Sequence, residues 1–355
     1  MTPSRISDLL IAWYETNSRS LPWRETRDPY RIWISEIILQ QTRVQQGMDY
    51  YSCFVSQYPT VADLAQAPLE DVLKLWQGLG YYSRARNLHA AANQVMDQFG
   101  GVFPSRYQDI LMLKGVGPYT AAAIASFAFQ ACCAVVDGNV YRVLSRLYDE
   151  ALPIDGGPGK RLFQALADEL ISPDRPDLHN QAMMELGALV CTPTQPSCAI
   201  CPLQEGCMAF AQGTVLQRPQ KQGKTKVRDR YFQYFIFKWE GKVYLRQRKE
   251  KDIWSHLFEF FMIETEHSVD LDSLMASEAL QQMLPDMSKC SWRVVAQDVK
   301  HLLSHQRIHA SFYEVTLQEP LRSNTDLLCV DRADFHTYAI PQLLVKVLEK
   351  DGFVD

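Results

Sequence analysis

Apolar residues recur at three- and four-residue intervals through most of the first 210 positions, which is the period of amphipathic helices. The spacing predicts helices over 6–14, 32–45, 61–65, 70–77, 83–99, 106–113, 119–127, 140–147, 159–170 and 180–190. Between 213 and 230 that period gives way to Gly, Pro, Gln and six basic residues, a linker composition. A solvated tether is the simpler reading of this stretch, and a basic arm gripping DNA is the alternative. Beyond it the pattern alternates. Residues 231–239, 242–248 behind the turn Glu240-Gly241, 258–264 and 308–317 read as strands, with helices over 271–283 and 341–348. The expected organisation is a mainly α domain over 1–212, a basic linker over 213–230 and a smaller α+β domain over 231–355.

Four cysteines, Cys191, Cys198, Cys201 and Cys207, fall at the end of the helical part with the spacing C-x6-C-x2-C-x5-C. Thiolates this close in sequence can converge on one metal centre. The uneven gaps, carrying Pro193, Pro196, Pro202 and Gly206, suit a loop wrapped around a cubane iron-sulfur cluster over 191–207. Zinc is the structural alternative, although its usual paired C-x2-C knuckles are represented only once. A disulfide framework fits least, because the chain has nine cysteines, an odd number, and length enough to bury a core without staples.

Charge changes the picture modestly. The net charge is −5, so composition alone does not announce a nucleic-acid binder. The 36 basic and 41 acidic residues are unevenly shared: 22 of each lie in 1–230, which puts the whole deficit in the C-terminal part. Any DNA binding must therefore lean on backbone amides and local patches. No apolar stretch reaches membrane-spanning length, and a reducing, cytoplasmic address is expected.

Three constellations could carry chemistry. Leu113-Lys114-Gly115-Val116-Gly117-Pro118-Tyr119 lies between two predicted helices, where glycines allow a tight turn and the next helix offers amides to a phosphate; a plain helix-helix turn is equally compatible with it. Glu36 sits among apolar neighbours in Ile32-Trp33-Ile34-Ser35-Glu36-Ile37-Ile38, where a carboxyl would hold its proton near neutral pH as a general acid. The alternative is a half-exposed helical glutamate. Asp137, after Ala134-Val135-Val136, reads as a helix N-cap with a low pKa and an available charge. An acid and an anion together are what cleavage of a glycosidic bond demands. Gln40-Gln41-Thr42 is expected to continue the Glu36 helix, and Tyr81-Tyr82 follows Gly78-Leu79-Gly80. Such residues can wedge into a base stack, or can be an ordinary surface and core.

Taken in order, Leu21-Pro22-Trp23-Arg24, the 33–42 segment, Gly78-Leu79-Gly80-Tyr81-Tyr82-Ser83-Arg84, the Gly115 hairpin, Val136-Asp137-Gly138-Asn139-Val140 and the four cysteines resemble the MutY-type adenine DNA glycosylases. These belong to the helix-hairpin-helix superfamily shared with endonuclease III. The resemblance implies a helix-hairpin-helix glycosylase domain with an iron-sulfur loop and a Nudix-like C-terminal domain. It implies a [4Fe-4S] cluster on the four cysteines and action on adenine opposite 8-oxoguanine or guanine in double-stranded DNA. It casts Glu36 as the acid at adenine N7 and Asp137 as the stabiliser of the sugar cation, with Tyr119 and Asn139 beside them. Arg19, Leu21, Trp23, Arg24 and Gln181 match adenine-pocket positions, and Gln41 and Tyr81 match intercalating ones. Gly115 and Gly117 match the phosphate hairpin, with the carbonyls of Leu111, Leu113 and Val116 holding a monovalent cation. Ser304 and His305 match the reader of the damaged base, though Leu303 replaces an aromatic and 252–257 lacks the glycines usual in that turn. Endonuclease III-like enzymes carry a lysine where this chain has Tyr119, so a monofunctional enzyme is expected; a monomer associated with the nucleoid is expected as well. A bifunctional lyase and a non-catalytic DNA-binding protein are the competing readings. The Glu-rich Nudix phosphohydrolase box is absent.

Overall fold

Prolines open many of the helices, standing in the first turn where their missing N–H costs nothing. Pro3 follows the Thr2 cap and Pro29 follows Asp28, whose side chain accepts from the Tyr30 amide. A computed structural model describes residues 1–223, 227–322 and 326–353; the predicted linker residues 224–226 lie outside it. The chain forms two compact units, Met1–Gln66 with Asn87–Gly223, and Ala67–Arg86 with Lys224–Asp355. Among the described residues no helix is long and apolar enough to cross a membrane.

The first unit is helical. In chain order come α1 (Pro3–Asn17), α2 (Pro29–Ile38), α3 (Val44–Gln57) and α4 (Val61–Gln66). α5 (Leu69–Leu75) lies in the second unit, and α6 (Ser83–Phe99) begins there. α7 (Tyr107–Leu111), α8 (Pro118–Phe129), α9 (Gly138–Leu147), α10 (Gly157–Leu170), α11 (Pro176–Leu189) and α12 (Met208–Ala211) complete the unit. Ile6 and Leu10 of α1, Val143 and Leu144 of α9, Phe163 of α10 and Leu186 of α11 form one buried core. α8 is a different kind of helix. Ala121, Ala122, Ala123 and Ala125 are all buried, and such small side chains let α2 pack close against it.

Two expectations fail here. The predicted 32–45 helix stops at Ile38, and Gln40-Gln41-Thr42 is a turn, with Gln41 at φ +57°. The chain reverses there, and Gly47 of α3 then lies so close that a Cβ on it would be 2.8 Å from Leu39 Cδ2. The apolar positions of α3 carry on the helical period across that turn, so periodicity alone could not mark the break. The tether is not free either. The Gln220 carbonyl accepts from the Ile154 amide at 3.0 Å, the Gln222 amide donates to Asp155 at 2.8 Å, and Arg218 pairs with Asp149 at 3.1 Å.

The second unit is built on a mixed sheet in the order β3-β2-β1-β6-β5. Its strands are β1 (Arg228–Trp239), β2 (Lys242–Gln247), β3 (Phe258–Glu259), β4 (Phe261–Thr265), β5 (Cys290–Leu302), β6 (Gln306–Leu317) and β7 (Leu328–Asp331). β4 also pairs with β1, and β7 with β2. The β1–β6 pair is parallel. β1 is buried on both faces, which explains its nearly unbroken aromatic run. Phe235 stacks on Tyr313 to one side and Tyr234 on Phe312 to the other. The predicted 258–264 strand is divided at Phe260, and the predicted 271–283 helix is two short ones, α13 (Leu271–Met275) and α14 (Glu278–Met283). α15 (Gln342–Lys350) closes the described chain. β5 and β7 escaped the sequence pattern. β5 is a largely exposed edge strand with register shifts between Val294 and Val299, so it lacks a clean apolar face.

Candidate active site

Close packing of α2 on α8 brings Glu36 and Tyr119 together. The Tyr119 hydroxyl donates to Glu36 Oε2 at 2.6 Å. Glu36 is 7% exposed, and burial pushes its pKa from an ordinary 4.5 up to about 7, helped by the negative charge of Asp137 and opposed by the Tyr119 hydrogen bond. Such a carboxyl still keeps its proton in about half of the molecules at pH 7, where an ordinary glutamate has lost it, and so can act as a general acid. Tyr119 is itself raised well above its ordinary value by burial, so it stays a phenol and a donor.

Asp137 caps α9, its Oδ1 accepting from the Val140 amide at 2.7 Å. Asn139 Nδ2 donates to Asp137 Oδ2 at 2.8 Å, and Asn139 Oδ1 accepts from Arg142 Nη2 at 2.8 Å. Arg142 goes on to the carbonyls of Gly187 and Cys191, each at 2.7 Å. The expected low pKa for Asp137 is not found. Burial outweighs the hydrogen bonds from Val140 and Asn139 and the Arg142 charge, and the net direction is up. A fully exposed cap would be held down by its hydrogen bonds; this one is half-buried in the lining of a cavity. Glu36 and Asp137 differ in their partners. Asp137 receives donors that favour its anion on both oxygens, whereas a hydrogen bond from Tyr119 reaches one oxygen of Glu36.

Both groups open into a cavity of about 480 Å³. Leu21 and Trp23 form apolar walls, with Trp23 edge-on to Tyr51 at 5.2 Å. α11 supplies Gln181 and Glu185 four residues apart on one face. Glu185, 1% exposed, binds Arg19 through both oxygens at 2.7 and 2.6 Å and Arg24 at 2.7 Å. These arginines hold its pKa down to about 2. Tyr14 donates to Gln181 Oε1 at 2.7 Å. Sequence reasoning missed Glu185 and Tyr14. The i, i+4 relation of Glu185 to Gln181 was the available signal; Tyr14 gave none beyond its apolar period.

The remaining predicted residues fall in separate places. In the hairpin, Gly115 has φ +76°, and a Cβ there would sit 2.5 Å from Asn87 Cβ, so glycine is required twice over. Leu111 ends α7, the Leu113 carbonyl accepts from the Val116 amide at 3.1 Å, and Gly117 caps α8. Gln41 and Tyr81 are the proposed wedges, and both hold positive φ without being glycine, +57° and +49°. Tyr81 lies in the second unit, where it shares a cavity of about 350 Å³ with Trp254, Ser304 and His305. Ser304 Oγ and His305 Nδ1 are 3.0 Å apart in the β5–β6 turn. The turn that lacks glycines is made anyway, with Trp254 at φ +61° and His256 at φ +67°.

Cys191, Cys198, Cys201 and Cys207 line one small cavity beside Arg146, whose Nη1 lies 3.3 Å from Cys191 Sγ. Each is a free thiol. Burial raises Cys198 and Cys207, and Cys201 to about 11, so a metal centre must displace their protons. Amides of Leu203, Ala209 and Phe210 favour the thiolates. Among the described residues no three His, Cys, Asp or Glu gather tightly enough to hold one metal ion. The four cysteines nonetheless share one small cavity, a donor set whose chemistry fits a thiolate-bound metal centre.

Residues 34–171 match the HhH-GPD superfamily of base excision DNA repair proteins, and 233–350 match the NUDIX domain. An adenine DNA glycosylase of Buchnera aphidicola subsp. Schizaphis graminum is 32% identical over 98% of this chain and 99% of its own length. The chain belongs to the adenine DNA glycosylase family. Within that family the human enzyme is 45% identical over 56% of this chain and 38% of its own. Among solved structures, a thermostable thymine-DNA glycosylase aligns with TM-score 0.53 and 30% identity over 58% of this chain and 95% of that one. Endonuclease III in a non-covalent DNA complex aligns with TM-score 0.51 at 23% identity over 60% and 98%, a likeness of fold.

Proposed function

We propose that the chain is a base excision repair glycosylase that hydrolyses the N-glycosidic bond of adenine paired with 8-oxoguanine or guanine in double-stranded DNA. The observation that carries this is a buried carboxyl with a pKa of about 7, bonded to Tyr119 and sharing a cavity with Asp137. A flipped adenine enters between Leu21, Trp23 and the α11 face. Tyr119 occupies Glu36 Oε2, leaving Oε1 to deliver the proton to N7. As the C1′–N9 bond breaks, its electrons pass into the protonated base and the Asp137 carboxylate faces the sugar cation. Water adds at C1′ and its proton passes to a carboxylate. Asn139 and Arg142 hold Asp137 in place throughout.

The absence of a lysine at position 119 supports base removal without strand cutting. Gly115, Gly117 and the α8 N-terminus suit a DNA phosphate, with a monovalent cation on the carbonyls of Leu111, Leu113 and Val116. Gln41 and Tyr81 would wedge into the stack, and Ser304 and His305 would read the damaged base. Cys191, Cys198, Cys201 and Cys207 would hold a [4Fe-4S] cluster. Arg146 of α9 already bonds Cys191 Sγ and the Thr192 and Pro193 carbonyls, and a bound cluster would fix the rest of the 191–207 loop for structure and DNA docking. The enzyme acts as a cytoplasmic, nucleoid-associated monomer.

The test uses a duplex with one 8-oxoguanine:adenine pair under single turnover, with and without alkali, and a borohydride-trapping arm. Free adenine, strand breaks only after alkali and no trapped adduct support the reading. A borohydride-stable adduct supports the lyase, and unchanged function in Glu36→Gln supports a non-catalytic binder. Iron and acid-labile sulfide analysis of the purified protein, against Cys201→Ser, tests the cluster; zinc in their place contradicts it.

A further inference from the structure

We infer that Tyr14 is a positioning residue that fixes the amide orientation of Gln181 and thereby sets the pocket for 6-aminopurines against 6-oxopurines. The inference rests on the reading above that a purine occupies this cavity.

A glutamine amide can pair with either kind of purine edge. In one orientation Oε1 accepts from the N6 amine of adenine while Nε2 donates to N1. Turned by 180°, Nε2 donates to O6 of a 6-oxopurine while Oε1 accepts from its N1–H. Left free, such a side chain reads neither edge. Tyr14 removes the freedom. Its hydroxyl donates to Gln181 Oε1 at 2.7 Å, and this is its one hydrogen bond among the described residues. Oε1 keeps a second lone pair for the base, and Nε2 keeps its two hydrogens.

The direction of that bond follows from what each partner needs. Were the amide turned, the hydroxyl would accept from Nε2 and its own hydrogen would lose the one acceptor it has among the described residues, in a residue 7% exposed. Burial keeps the phenol protonated, and the Arg24 guanidinium over its ring at 5.5 Å holds the ring in place. Arg24 is itself anchored on Glu185. The orientation of Gln181 is thus set from α1 through Tyr14, not by the base it meets.

The experiment measures single-turnover release of adenine and of hypoxanthine, each opposite 8-oxoguanine, by the full chain carrying Tyr14→Phe, Gln181→Ala or both. Tyr14→Phe removes the hydroxyl alone. The adenine-to-hypoxanthine rate ratio should fall by roughly tenfold or more, and in the Gln181→Ala background the same change should leave the ratio where Gln181→Ala put it. An unchanged ratio in Tyr14→Phe, or an equal fall in both backgrounds, overturns the inference. Release of neither base by the unaltered protein refutes the function proposed above. In that case the affinity ratio for the two duplexes is read across the same four proteins with the same criteria.

Discussion

Replacing Glu36 by glutamine should stabilise the helical unit while ending base release, and the size of the gain should depend on pH. The folded protein holds this carboxyl at about 7 against an ordinary 4.5. Below pH 4.5 the proton is present in both states and the shift costs nothing. As pH rises the unfolded chain releases the proton first, so stability falls until the folded group also ionises near 7. At about 1.4 kcal/mol per pH unit, the loss reaches about 3 kcal/mol. Glutamine keeps an acceptor for the Tyr119 hydroxyl and carries no charge, so it escapes this loss. Constant effects of the substitution on packing appear equally at all pH values. The readout is therefore the difference in thermal midpoint between the two proteins at roughly pH 4.5 and pH 8. It should widen by roughly 5–10 °C in favour of Glu36→Gln over that interval. A difference that stays flat would show a wet, ordinary carboxylate and refute the argument for a buried acid.

Other outcomes follow from neighbouring contacts. Tyr119→Phe removes the hydrogen bond that lowers the Glu36 pKa, so the alkaline limb of the pH–rate profile should move upward; a downward move contradicts the assigned direction. Gly187→Ala would place a Cβ 2.6 Å from Asn139 Cβ; adenine release should drop by roughly tenfold or more with DNA binding retained, measured by single turnover and by titration. Glu185→Ala leaves Arg19 and Arg24 without their buried partner and should cost about 3 kcal/mol in urea unfolding at neutral pH. Because the arginines hold Glu185 down to about 2, that contribution is complete above its ordinary 4.5 and lost as pH falls toward 2, so the deficit should shrink in acid.

Much of the site was legible because its chemistry is local in sequence. The burial of Glu36 was legible in its apolar neighbours, the Asp137 cap in its position, and the gathering of the four cysteines in their spacing. What sequence could not supply was burial summed from distant elements. Asp137 was expected to keep a low pKa on the strength of its cap hydrogen bonds, yet it lines a cavity where desolvation outweighs them. Glu185 lay on a predicted helix and gave no sign that two arginines more than 160 residues away would close on it. The 32–45 helix failed for a related reason: apolar spacing continued across the Gln41 turn, and the close approach at Gly47 is a tertiary fact. β5 was missed because an exposed edge strand with shifted register has no alternation to read.

The most direct test of the central claim is the single-turnover rate of adenine release from an 8-oxoguanine:adenine duplex as a function of pH. The account predicts a rate that falls above about pH 7 as Glu36 loses its proton, an acid limb from protonation of Asp137, and no release at any pH by Glu36→Gln bound to the same duplex. A rate that keeps rising through pH 9, or release by Glu36→Gln with the wild-type profile, would contradict it.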